Sequence, residues 1–301
     1  MRIALTGASG MLGGACLRHL AARGDEVVAL GRGNAARLVL MPPGISLCTT
    51  DYSLDDLRLA LRDVEAVIHL GALRANAEAE RSGCQPYFEA NVRSTENLLI
   101  AALANGVRSF CLASSIAVYA RHNPQPWRES DPPAPISHYG ISKLACEHLA
   151  ALHGERGGMR VFALRIAQII GDDRSRRQGM LRQFIARARR QQSLSLWGSG
   201  AAARDLVYVE DVVSAINQAL DDDRPGGTYN IGGGRAFSNL EVAETINEVF
   251  GNPAGLALDP TRPDEASSQF MNCERAQRQL GWQRQWSLRA ALDELRRQGV
   301  G

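Results

Sequence analysis

The chain has 301 residues, 45% of them hydrophobic and 22% charged, with a formal net charge of +2. That length holds one large or two modest domains around a substantial core, and the near balance of charge excludes an electrostatic case for nucleic acid or a membrane surface as the main partner. Six cysteines, at positions 16, 48, 84, 111, 146 and 273, form no C-x-x-C pair and no tight His/Cys group; this excludes a zinc site or a disulfide framework and fits a reducing cytoplasm.

The N-terminal apolar run Ile3-Ala4-Leu5 stops at Thr6-Gly7, too early for a signal peptide. No stretch approaches the ~20 apolar residues that span a bilayer, so a soluble cytoplasmic protein is expected. Arg2 to Thr6 reads as a buried strand, Met11 to Arg23 as a helix with apolar residues at Leu12, Ala15, Cys16 and Leu20, and Glu26 to Leu30 as a second strand. Between the first strand and the helix stand Gly7, Gly10 and Gly13. Glycines there permit a tight turn, close approach of the main chain to a pyrophosphate, and close packing of helix on sheet, while the helix N-terminus faces the negative charge. This βαβ unit predicts dinucleotide binding.

The alternation continues with strands at 45–49 and 66–70, helices at 54–61 and 87–105, a strand at 109–113, a helix from Tyr139 to about Gly154 and a strand at 160–164. Such alternation predicts a doubly wound parallel sheet covered on both faces. A proline-rich loop, Asn123 to Pro135, lies before Tyr139. After Gly171 the regularity changes: an arginine-rich run between Arg174 and Arg190, a helix at 180–191 and a strand at 194–197 read as a smaller α/β cap. The expected division is a dinucleotide-binding domain over 1–171 and a substrate domain over 172–301, with the segment at about 205–235 returning to the first.

Tyr139-Gly140-Ile141-Ser142-Lys143 carries the chemistry. Residues four apart share a helix face, so the phenol and the ammonium point into the same space. A phenol titrating near ~10 is a poor base at neutral pH unless a neighbouring cation stabilises the phenolate. Ser115, at the end of the apolar run from Phe110, is the candidate second hydroxyl, able to hold a substrate carbonyl or alkoxide oxygen. At the end of the second strand stands Leu30-Gly31-Arg32. A carboxylate at this place would bind the ribose hydroxyls of NAD, whereas its absence together with an arginine favours a 2′-phosphate, so NADP is expected, with NAD the alternative.

The glycine spacing G-x-x-G-x-x-G, with Asp51-Tyr52, His69-Leu70-Gly71-Ala72, Asn91-Val92-Arg93-Ser94-Thr95-Glu96-Asn97-Leu98, Ser114-Ser115-Ile116-Ala117-Val118-Tyr119 and the Tyr139/Lys143 pair, resembles the extended, nucleotide-sugar-modifying branch of the short-chain dehydrogenase/reductase superfamily. Further matches are Leu164-Arg165, Arg204 to Asp211, Tyr229-Asn230-Ile231-Gly232, Arg262-Pro263 and Leu280-Gly281-Trp282. The resemblance implies Tyr139 as acid/base, Ser115 as its partner, and Lys143 as phenolate stabiliser and ribose ligand. It implies a dinucleotide site at Gly7, Gly10, Met11, Leu12, Gly13, Arg32, Asp51, Tyr52, Leu70, Ala72, Arg74 and Asn91, together with Tyr139 and Lys143. Gln168, Arg204 and Arg262 would meet the substrate, the arginines at the diphosphate of a sugar nucleotide, and no metal is implied.

Relatives that remove water carry an Asp-Glu pair after the serine, and others carry a cysteine acid two residues on; this chain has Ile116-Ala117. 4-Epimerisation or reduction of a 4-keto sugar remains, with reduction of a non-sugar carbonyl and a non-catalytic NADP sensor as alternatives. His138 and Cys84 are read as structural neighbours of the pocket. Relatives often pair through the two long helices, so a homodimer is expected.

Overall fold

The structure is a computed structural model and describes residues 1–33, 43–75, 77–172, 179–221, 223–262 and 268–300. Residues 174–178 of the arginine-rich run, and Pro263, lie outside the described residues. The first half builds β1 (Arg2–Thr6), α1 (Met11–Ala22), β2 (Glu26–Gly31), β3 (Ile45–Thr49), α2 (Leu54–Ala60), β4 (Ala66–His69), α3 (Ala77–Arg81), α4 (Gln85–Tyr87), α5 (Ser94–Ala104), β5 (Ser109–Ser115), α6 (His138–Gly157), β6 (Arg160–Ile166) and β7 (Gln168–Ile170). The second half adds α7 (Met180–Arg189), β8 (Leu194–Trp197), β9 (Ala203–Tyr208), α8 (Val209–Leu220), β10 (Gly227–Ile231), β11 (Ala236–Ser238), α9 (Asn239–Phe250), β12 (Leu256–Asp259) and α10 (Leu288–Arg297).

Seven strands form one wholly parallel sheet in the order β10-β6-β5-β4-β1-β2-β3. Its inner strands are near-continuous runs of buried Ile, Val, Leu and Ala, as a sheet covered on both faces requires. The order reverses between β4 and β1, which opens a crevice at the carboxyl ends of these strands where ligands of such sheets bind. β10 joins the edge of this sheet beside β6, in register Asn230↔Arg165, so residues 227–231 belong to it although they follow the cap elements in sequence. A three-stranded sheet, β11-β9-β7, and a parallel pair, β8 with β12, make up the rest.

The expected helix at 87–105 is a helical run of mixed pitch: α4 leads into a π-helical turn over Phe88–Arg93 and then into α5. The wide turn carries Asn91 inward, and such turns occur mostly as single insertions at functional sites. α6 starts one residue before Tyr139, with Ser137 Oγ accepting from Gly140 N, and stops where Gly158 takes a left-handed conformation. The proline-rich loop before it is fixed from below. Tyr119 Oη donates to Asn230 Oδ1 at 2.6 Å, and Asn230 Nδ2 donates to the carbonyls of Trp127 and Asn272, each at 3.0 Å.

Candidate active site

The glycine turn leaves β1 at Thr6. Gly7 has φ +73°, and a Cβ on it would stand 2.8 Å from Gly71 N, so the turn lies directly against the chain leaving β4. At Gly13 a Cβ would fall 2.1 Å from the Gly7 carbonyl oxygen, which lets α1 begin close under the turn. Gly10 N donates to Gly7 O, and no side chain caps the helix start, so its first amide groups are left without a side-chain partner. Met11 packs beneath Gly171, and Leu12 joins the core behind it. A cradle that a single methyl group would fill, ending in a helix N-terminus, fits a pyrophosphate.

Beside this turn is a cavity of about 400 Å³ at the ends of β1, β2 and β4, lined among others by Gly7, Arg32, Tyr52, Ala72 and Ser94. Arg32 Nη2 donates to Ser94 Oγ at 2.8 Å, and the guanidinium lies 4.8 Å from the centre of the Tyr52 ring. Asp51 does not line this cavity. It is exposed, and its carboxylate accepts from Ser53 N at 2.7 Å, which holds it below the ordinary carboxylate range. Leu70 packs on the core, and Arg74 is exposed in the loop after β4.

Asn91 is 1% exposed and spends its amide within the protein: Oδ1 accepts from Leu73 N at 2.7 Å, while Nδ2 donates to Leu73 O and Ser142 Oγ. It therefore braces the loop after β4 against α6. His69, which sequence reasoning used only as a motif letter, is a second brace. Its Nδ1 accepts from Thr6 Oγ1 at 2.7 Å, its Nε2 donates to Thr95 Oγ1 at 3.0 Å, and Thr95 donates to Asn91 O. Thr6 Oγ1 also accepts from Gly71 N, so β1, β4 and α5 are tied at the floor of the crevice. Burial, then the neighbouring Lys143 charge, pulls His69 down to about 3, and the ring stays neutral.

The three reactive candidates stand at the next strand. Ser115 ends β5, and its Oγ accepts from Ala117 N at 3.2 Å. Tyr139 and Lys143 occupy the first turns of α6, one turn apart. Lys143 is 3% exposed, and its Nζ donates to Ala113 O at 2.6 Å, two residues before Ser115. A Cβ on Gly140 would lie 2.4 Å from Ala117 O, so the turn that carries Tyr139 packs directly on the one that follows Ser115. The Tyr139 ring meets Tyr87 edge to face at 6.3 Å between centres.

Two carboxylates that sequence reasoning missed hold this helix. Glu80 accepts from His138 N at 3.1 Å and Tyr139 N at 3.2 Å; burial would raise it, but these amides keep it below the usual range. His138 Nδ1 stands 3.3 Å from the same carboxylate, and Cys84 is exposed at the start of α4. Glu147, one turn beyond Lys143, accepts from Ser114 Oγ and forms a buried pair with Arg165 of β6, with Nη2 to Oε2 at 2.8 Å. The signal for Glu147 was its spacing of four from Lys143; nothing in sequence marked Glu80 as a cap.

A second pocket of about 230 Å³ begins beside the serine, at Ile116, and runs to Gln168, Arg204 and Gln269. Arg204 Nη1 reaches Gln168 Oε1 at 3.4 Å, while its buried Nε has no partner among the described residues, and burial lowers its pKa. A partly desolvated guanidinium with one N–H unsatisfied among the described residues, facing a pocket, suits an anion. Arg262 does not line this pocket. It is exposed, 4.9 Å from the Trp197 ring centre and 3.5 Å from the Asp259 carboxylate.

A parallel sheet with a glycine cradle at its reversal point, and a Ser/Tyr/Lys set at the next strand, defines an enzyme of the extended short-chain dehydrogenase/reductase type. The model of the NAD dependent epimerase/dehydratase family matches residues 3–232, and the chain belongs to that family. It is 30% identical to a dTDP-4-dehydro-6-deoxy-D-allose reductase of a Streptomyces species, over 98% of this chain and 95% of the relative. Among solved structures, the UDP-N-acetylglucosamine 4-epimerase from Bacillus cereus superposes with a TM-score of 0.88 at 30% identity, covering 100% of this chain and 97% of that one. MoeE5 in complex with UDP-glucuronic acid and NAD superposes with a TM-score of 0.83 at 30% identity, covering both chains fully. Among the described residues no helix is long and apolar enough to cross a membrane, and no group of His, Cys, Asp and Glu could hold a metal.

Proposed function

We propose that the chain interconverts a hydroxyl and a ketone on a nucleotide sugar, as a 4-epimerase or a 4-ketoreductase. The observation that carries this is the position of Ser115. It immediately precedes Ile116, which lines a pocket together with Arg204, a cation whose Nε has no partner among the described residues. Gly7, Gly10, Met11, Leu12 and Gly13 would hold the pyrophosphate, Tyr52 and Ala72 the adenosine side, and Lys143 the nicotinamide ribose, with Asn91 fixing the loop between them. When bound, the nicotinamide takes a hydride from the sugar carbon and can return it.

In the oxidising direction Tyr139 removes the hydroxyl proton as the hydride leaves, and Ser115 donates to the same oxygen as its charge develops. Lys143, held by Ala113 O, keeps a positive charge on the face of α6 that carries the phenol. In the reducing direction the phenol returns the proton. Arg204, with Gln168 beside it, would hold the diphosphate, whereas Arg262, exposed on Trp197, stands outside that pocket. Ile116 and Ala117 offer no carboxyl pair for loss of water, which supports epimerisation or reduction over dehydration.

Arg32 in the adenosine cavity supports NADP as the favoured cofactor, although the family description and MoeE5 name NAD. A dinucleotide domain over 1–171, rejoined by the segment at about 205–235, and a substrate domain from the rest of 172–301 would hold the sugar between them. Exposed Phe88, Ile141 and Leu152 on the two long helical runs support a homodimer through that face, and free thiols throughout support a cytoplasmic home. The test follows the absorbance of reduced nicotinamide with a panel of sugar nucleotides and their 4-keto derivatives. Stoichiometric oxidation means reductase, and product without net cofactor change means epimerase. Turnover of non-sugar ketones alone, unaffected by loss of Arg204, would reject the proposal.

A further inference from the structure

One face of α5 organises the far end of the adenosine cavity. Ser94, 4% exposed, accepts the Arg32 guanidinium, and Asn97, one turn on, donates its Nδ2 to Tyr52 O at 2.8 Å. Tyr52 takes φ +66°, a left-handed conformation that a residue with a side chain adopts only when its surroundings impose it. Its amide donates to Thr50 Oγ1 at 3.0 Å, and the result is a ring set under Arg32 at 4.8 Å. A strained backbone, held from two sides to seat one arginine, belongs to a built site.

In its bond to Arg32 the Ser94 oxygen is the acceptor, so its own proton remains to be given. No protein acceptor takes that proton among the described residues, and both side chains line the cavity. A planar cation with spare N–H donors just after the end of β2, where such sheets read the ribose hydroxyls, with a free O–H donor beside it, matches a phosphate monoester better than a ribose diol, which needs an acceptor. We infer that Ser94 is a specificity residue: with Arg32 seated on Tyr52, it forms a site for the 2′-phosphate of the dinucleotide. This rests on the reading of NADP as cofactor and adds to it a selecting hydroxyl 62 residues away in sequence.

The test is calorimetric titration of the full chain with NADP⁺, NAD⁺ and adenosine 2′-monophosphate, requiring no sugar substrate. Wild type should bind NADP⁺ the more tightly. Loss of one charge-assisted hydrogen bond in Ser94→Ala should weaken NADP⁺ and the 2′-monophosphate about tenfold and leave NAD⁺ within about twofold, the latter also showing that the variant is folded. Ser94→Thr, which keeps the hydroxyl, should restore selectivity. A Ser94→Ala variant that weakens both dinucleotides equally, or neither, overturns the inference. If wild type prefers NADP⁺ and only Arg32→Ala removes that preference, Ser94 is no selector while the cofactor reading stands. Equal binding of both dinucleotides by wild type overturns the cofactor reading and this inference with it.

Discussion

The two halves of the crevice are built by different means. On the cofactor side the contacts are main chain and buried networks: a glycine turn locked against β4, and a chain of bonds from Thr6 through His69 and Thr95 to Asn91. On the side proposed for the sugar the candidate cations are single long side chains, Arg204 with one nitrogen unpartnered among the described residues and Arg262 lying exposed on Trp197. The first arrangement is rigid before any ligand arrives. The second leaves its charge to be satisfied by the substrate. Changes on the first side should therefore act on folding and on dinucleotide binding, and changes on the second on turnover and KM with stability intact.

The largest effect is expected where the two halves meet. Glu147→Ala leaves Arg165 buried without its partner and frees Ser114 beside the serine, and should lower unfolding stability by about 3–5 kcal/mol in a denaturant titration. Gly13→Ala forces a methyl group against the Gly7 carbonyl; strain of about 1–3 kcal/mol should appear as up to a hundredfold loss of dinucleotide affinity.

His69 gives the cofactor side a pH signature. Its folded pKa of about 3 lies below the unfolded value, so below pH ~6.5 only the unfolded chain takes up the proton and stability falls with acidification. Asp205, pushed up to about 6 by burial against the opposing Met271 and Gly233 amides, works the other way, gaining stability as pH falls through that value. The comparison is therefore with His69→Gln, in which the His69 contribution is absent. The stability of wild type relative to that variant should shrink by about 2 kcal/mol between pH 7 and pH 5.

On the sugar side, Arg204→Ala should raise the substrate KM about tenfold or more with an unchanged melting temperature. Arg262→Ala, exposed and already paired with Asp259, should change it less than about threefold. Equal effects of the two would erase the distinction drawn between a desolvated cation and a solvated one.

The same contrast decides what could be read from the chain alone. The parallel sheet, the glycine turn and the helical spacing of Tyr139 and Lys143 follow from local periodicity and from residue types with one backbone use, so β1 to β6 appear close to their expected places. The Glu80 and His69 braces were not readable, because they act on residues up to 63 positions away, and no local pattern reports such a pairing. The π-helical turn at Phe88–Arg93 escaped because the apolar pattern of a helix is nearly blind to one widened turn. The late strands β11 and β12 are only three and four residues long and gain their places from neighbours distant in sequence.

The most direct test of the account is Tyr139→Phe, measured twice on the same sample: hydride transfer in a single turnover with the best sugar nucleotide of the panel, and dinucleotide affinity by titration. Removing one phenol oxygen should slow transfer by about 10²–10⁴-fold and leave the affinity nearly unchanged. Transfer at the wild-type rate, with the dinucleotide still bound, would contradict it.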